Sequence, residues 1–131
     1  MIKKLVLIDT DIIIDLLNGV PEAIKFFSGV YKGDFLAYYS IITEVELFAG
    51  ISASNSEEER AIYDLLNALS VINLDQKSSK ISGEIIRSKK IPFADSLIAG
   101  CALANKMNTI VTRNKKHFEK IGEMIKIEVP Y

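Results

Sequence analysis

Carboxylates punctuate apolar sequence at three places in this chain. The stretch LVLIDTDIIIDLL, residues 5–17, sets Asp9, Asp11 and Asp15 among residues that otherwise read as protein core. SIITEVELFAG, residues 40–50, carries Glu44 and Glu46, and PFADSLIAG, residues 92–100, carries Asp95. Aspartate is almost never fully buried without a partner. Carboxylates brought together raise one another's pKa unless a cation intervenes. No single lysine is placed to neutralise them all, so the acids are expected to pair with metal and not with protein. An all-oxygen donor set, with the one histidine (His117) confined to the last segment, suits Mg2+ or Mn2+ better than zinc. Such a cation, held by a few carboxylates and water, is the usual apparatus of phosphate chemistry: it polarises a phosphoryl oxygen and activates water.

Each acid also has a purely structural use. Asp9 suits the N-cap of a following helix, and Asp95 a cap or first-turn position. Asp11 and Asp15 fit the solvent face of a helix, Asp15 especially, and Glu46 fits an exposed position. The acids outweigh these readings jointly, because the elements deliver them to one place.

Those elements are legible from periodicity. IKKLVLI is a short apolar run of the kind buried on both faces of a parallel sheet. DIIIDLLNG turns helical, with Ile12 and Leu16, and Ile13 and Leu17, four apart and Gly19 as a stop. Pro21 opens a second helix, and DFLAYYSI reads as an aromatic-rich strand. TEVELFAGISA is helical, with Val45, Phe48 and Ala49 on one side. Ser56 ahead of EEER marks a helix start running to about Leu69. VINL, TIVT and IKIEV are strands, and QKSSKISGEIIRSKK an amphipathic helix. IPFADSLIAGCALANKM is a long helix turning Leu97, Ile98, Cys101 and Ala102 to a core, and KKHFEKIG is a short one. Strands alternating with helices predict an α/β/α sandwich on a central, mostly parallel sheet, as one domain over residues 1–131. In such sheets ligands bind beyond the carboxyl ends of the strands. Asp9, the Thr112–Asn114 turn, Asp95 and the Glu44/Glu46 pair are all expected at that rim.

Composition sets bounds. Hydrophobic residues make up 49% and charged residues 25% of 131 residues, the balance of an ordinary globular protein with a real core. No apolar run reaches the roughly 20 residues of a membrane helix. The N-terminal apolar run meets Asp9 too early for a signal peptide. A lone Cys101 forms no internal disulfide, which agrees with a reducing cytoplasm, and reads as a small buried hydrophobe. Net charge is −1, so any nucleic-acid affinity must be local. TRNKKHFEK offers Arg113, Lys115, Lys116 and Lys120 around His117, either as a phosphate-binding patch or as a solvated helix face. Tyr38 and Tyr39 are candidates for base stacking or, more simply, for packing.

Taken in order, LVLIDTDIIIDLL, SIITEVELFAG and PFADSLIAGCALANKMNTIVTRNKKHF resemble the PIN-domain ribonucleases, specifically the VapC-type toxins of prokaryotic toxin–antitoxin pairs. The resemblance spans nearly the whole chain, with residues 54–87 the variable stretch. It implies a metal-dependent endoribonuclease, cytoplasmic and homodimeric, neutralised by a cognate antitoxin whose tail covers the site. Asp9, Glu46 and Asp95 match the family's metal-site acids, and Glu44 is an extra acid. Asn114 matches the TRN motif and is expected to assist by its carbonyl oxygen or through water. His117 stands where the family frequently has a further acid, which leaves one metal or two open. The implied mechanism is hydrolysis of an RNA phosphodiester, with Arg113, Lys115 and Lys116 steering the RNA backbone. Two rivals remain: a PIN-fold binding module acting only through its partner, and a phosphoacceptor receiver domain. The latter wants a lysine after a late strand, where TIVTRN has arginine.

Overall fold

The computed structural model describes residues 2–50 and 55–131. Five strands, β1 (Leu5–Ile8), β2 (Leu36–Ser40), β3 (Ser70–Ile72), β4 (Thr109–Val111) and β5 (Lys126–Glu128), form one sheet in the order β3-β2-β1-β4-β5. The expectation was a mostly parallel sheet; all four pairings are parallel. Every carboxyl end therefore lies on one edge. The chain leaves β1 towards β2, while β4 pairs on β1's other side, so the crevice between β1 and β4 is where a parallel sheet of this kind opens a ligand site.

Helices cover both faces. Alternation along β1 sends Leu7 to one face and Val6 and Ile8 to the other. Leu7 packs with Ile85 of α5 (Gln76–Lys89), Ile98, Cys101 and Ala102 of α6 (Phe93–Ala104), and Phe118 of α7 (Lys115–Phe118). Val6 and Ile8 pack with Ile12 and Ile13 of α1 (Thr10–Leu17), Phe27 of α2 (Pro21–Lys32), Leu47 of α3 (Ile41–Ala49) and Ile62 of α4 (Ser56–Leu66). This is the three-layer arrangement the alternation of elements predicts, and Cys101 is core as expected.

Local stops follow the sequence. Helix α1 ends where Gly19 takes φ +73°, with the Gly19 and Val20 amides donating back to the carbonyls of Leu16 and Asp15. Helix α4 starts at Ser56 as expected, and Asn55 caps it by accepting from the Glu58 amide. It ends at Leu66, short of Leu69. Helix α3 turns differently from its predicted face. Leu47 and Thr43 are buried whereas Val45 is 63% exposed. The continuation of that helix over residues 51–53 falls outside the described residues.

Candidate metal centre

Asp9 leaves the end of β1 and caps α1, its Oδ1 accepting from the Thr10 amide at 2.8 Å. Its Oδ2 accepts from the Thr112 hydroxyl, also at 2.8 Å, across the β1–β4 crevice. The capping role and a role in chemistry are thus both available to one side chain. Asp9 is almost wholly buried, and burial, then Asp11, pushes its carboxyl up to about 7. The Thr112 and Thr10 hydrogen bonds oppose that rise, and Asp95 adds to it. Asp95, third in α6, is pushed up by burial, held down by His117 and raised again by Asp11. Its Oδ2 lies 2.9 Å from His117 Nδ1. Asp9, Asp11 and Asp95 therefore share one electrostatic field, as the topology predicts.

Asp11, whose spacing fits the solvent face of α1, is held by the turn after β4. Its Oδ2 accepts from the Arg113 amide at 2.9 Å, while its Oδ1 is buried with no partner among the described residues. Burial raises the Asp11 pKa, and the Arg113 amide and guanidinium hold it down. Asp15, assigned to solvent by its spacing, is instead paired: Arg113 Nε lies 2.6 Å from its Oδ2. Asp15 is thus corrected from the solvent face to a paired position, because the turn after β4 reaches α1, and Asp95, expected to pair with metal and not with protein, has His117 as a protein partner.

Glu46 arrives by a separate route. Its Oε1 accepts from the Thr10 hydroxyl at 2.7 Å, and Thr10 Oγ1 lies 2.9 Å from that of Thr43. Thr10 has one hydroxyl proton. Once it is given to Glu46, buried Thr43 must donate to Thr10. Glu44 points elsewhere, accepting from the Tyr39 hydroxyl at 2.8 Å, a contact that with burial raises the Tyr39 pKa. Tyr39 is buried in the core on one face of the sheet and Tyr38 packs against the core on the other, so packing accounts for both rings. Asn114 donates its amide to Thr112 Oγ1 at 3.0 Å and leaves its side chain out of the cap of α7. Asn114, Lys115 and Lys116 are exposed.

These residues fit a divalent cation. Burial raises Asp9, Asp11 and Asp95 alike, Asp11 adds to the rise at the other two, and Asp11 keeps a buried carboxylate oxygen with no partner among the described residues; a cation would answer all three. The donors are oxygens, with His117 at the rim. Among the described residues no three acid or histidine side chains are drawn into a ready-made cage. Mg2+ tolerates that, since it keeps several waters and takes only one or two carboxylates directly. Thr10, which bonds Glu46, and Thr43, which bonds Thr10, are site residues that the pattern of acids does not reveal, and Thr112, expected at the rim, adds the bond to Asp9. The DTD and TRN triplets were the available signal, each setting a hydroxyl beside a site residue.

Similarity to known proteins agrees with this geometry. The family described as PIN domain matches residues 6–124. A chain of VapBC2 from Rickettsia felis, solved with a fragment of its promoter DNA, superposes with a TM-score of 0.79 at 25% identity, covering 94% of this chain and 96% of that one. A chain of a toxin–antitoxin complex from Klebsiella pneumoniae gives 0.79 at 26% identity, covering 96% and 98%. For DNA-bound VapBC from Salmonella typhimurium the values are 0.81, 24%, 98% and 99%, a likeness of fold. No curated protein matches the chain. The resemblance read from the motifs is borne out: the chain belongs to the PIN-domain family, and its structural neighbours are VapBC complexes.

Proposed function

We propose that this protein is a metal-dependent endoribonuclease that hydrolyses RNA phosphodiester bonds as the toxin of a toxin–antitoxin pair. The observation that carries the reading is Asp9 at the β1–β4 crevice of a PIN domain, bonded to Thr112 and close enough to Asp11 and Asp95 for both to raise its pKa. When bound, Mg2+, or Mn2+ in its place, supplies Lewis-acid polarisation of a phosphoryl oxygen and a water of lowered pKa. Asp9, Glu46 and Asp95 would hold it. Thr112 fixes the rotamer of Asp9, and Thr10 that of Glu46. Asn114 offers an exposed amide to substrate or water beside them. Lys115 and Lys116, which make no ion pair among the described residues, would meet RNA phosphates. Arg113 is already paired with Asp15, so its contribution to RNA binding is through its field.

The partners follow the same reading. The Rickettsia felis and Klebsiella pneumoniae structures are toxin–antitoxin complexes, which supports a cognate antitoxin here. A groove of about 330 Å³ with an apolar floor of Ile14, Leu17, Leu47 and Ile62 opens beside Glu46, suited to an antitoxin tail. Exposed Val45 and Tyr63 supply apolar surface for a homodimer. No helix among the described residues is long and apolar enough to cross a membrane.

One observation favours a catalytically weak binding module instead: His117 occupies an oxygen of Asp95. Mn2+ titration followed calorimetrically separates the two. The nuclease reading predicts stoichiometric binding that Asp9→Asn abolishes. Equal binding by wild type and Asp9→Asn would overturn it.

A further inference from the structure

Two carboxylates of α1, Asp11 and Asp15, lie four residues apart on one helix face, a spacing at which like charges repel. Both are answered by one residue of another element. Arg113 gives its backbone N–H to Asp11 Oδ2 at 2.9 Å. Its guanidinium straddles Asp15, Nε to Oδ2 at 2.6 Å and Nη2 to Oδ1 at 3.2 Å. A third element closes the arrangement: the hydroxyl of Tyr131, in the segment after β5, donates to Asp15 Oδ2 at 2.7 Å. Asp15 retains only 13% side-chain exposure, so this fork is more than a loose surface pair.

The turn so held carries the site. Thr112, next to Arg113, donates to Asp9 Oδ2 at 2.8 Å and accepts the amide of Asn114 at 3.0 Å. We propose that Asp15, Arg113 and Tyr131 form a clamp that docks the Thr112–Asn114 turn on α1 and thereby aims Asp9 for metal binding. Arg113 is then a positioning residue. Its planar fork matches the carboxylate in a way an ammonium cannot. Asp11 is the clamp's second handle, taking the backbone while Asp15 takes the side chain.

The inference rests on the metal-site reading above, and the test keeps the two apart. Mn2+ affinity is measured calorimetrically for wild type, Asp15→Asn, Arg113→Ala, Arg113→Lys and Tyr131→Phe, with circular dichroism to establish folding. Loss of outer contacts to metal ligands typically weakens affinity about tenfold or more. The clamp predicts that order of loss for Asp15→Asn and Arg113→Ala, no rescue by Arg113→Lys, and a smaller loss of the same sign for Tyr131→Phe, which removes one exposed hydroxyl group and keeps the fold. In RNA cleavage Tyr131→Phe, which leaves every charge in place, lowers kcat and leaves KM near wild type. Wild-type Mn2+ affinity in folded Arg113→Ala and Tyr131→Phe would overturn the clamp. So would a raised KM at unchanged kcat restored by Arg113→Lys, the pattern of a phosphate contact. A wild type that binds no Mn2+ would overturn the metal-site reading itself.

Discussion

Asp9 carries two demands that conflict in the metal-free protein. As the N-cap of α1 it is best ionised, yet burial and Asp11 push it up to about 7 from an ordinary 3.8. A folded state that binds a proton more tightly than the unfolded chain is most stable below the unfolded pKa. Asp9's share of stability is therefore complete below about pH 4 and is lost as pH rises towards 7. Melting curves without metal should show Tm falling over that window, and Asp9→Asn should flatten the fall. Millimolar Mg2+ should restore wild-type Tm near neutral pH by binding the folded state, with little effect on Asp9→Asn. An identical Mg2+ response from both proteins would mean that the ion binds elsewhere. Thr10 offers a second test at this scale. Thr10→Val leaves buried Thr43 without its partner, at a cost of about 1–3 kcal/mol. It also frees Glu46, whereas Thr10→Ser should retain both contacts; chemical denaturation of the two variants distinguishes them. The acids were readable because carboxylates stand out in apolar sequence. Their hydroxyl partners were not, because a threonine looks the same at a cap, on a strand or in a site.

Helices α5 and α6 approach so closely that a side chain cannot be added between them. A Cβ on Gly100 would collide with Ser82 Oγ and come within 2.7 Å of the Ser78 carbonyl. Gly100→Ala should therefore destabilise by about 1–3 kcal/mol, as overpacked cores do, despite alanine's better helix propensity. A Tm at or above wild type would show that the pair can move apart. The strands and helices were legible because their lengths and periods differ: β1 and β4 are short apolar runs, whereas α6 is a long one, buried from Ile98 through Ala102. Helix α3 was misread in its facing for a physical reason. Ile41, Ile42, Val45, Leu47 and Phe48 surround it, so no single apolar stripe selects a face. The buried choice, Thr43 with Leu47, is set by Thr10 on another helix, a contact no local pattern contains. Asp15 was misplaced for the same reason, since its partners Arg113 and Tyr131 lie 98 and 116 residues away.

At the scale of the molecule, the parallel sheet sets every strand's carboxyl end on one edge, and that edge gathers residues distant in sequence. Val45 and Tyr63 remain exposed on the adjoining helices. Light scattering is expected to report a dimer, and Val45→Glu to shift it towards monomer without moving the Mn2+ affinity. A monomeric wild type would remove that part of the account. The central claim is a single carboxylate site that cleaves RNA, and cleavage by purified protein tests it most directly. Wild type, Asp9→Asn, Asp95→Asn and the double variant are compared on one RNA with Mg2+ and with chelator. Groups that act as a unit are non-additive on deletion. Wild type should show chelator-sensitive cleavage, and all three variants the same near-zero rate. Wild-type rates in Asp9→Asn or Asp95→Asn, or a wild type that binds Mn2+ yet cleaves no RNA, would contradict it.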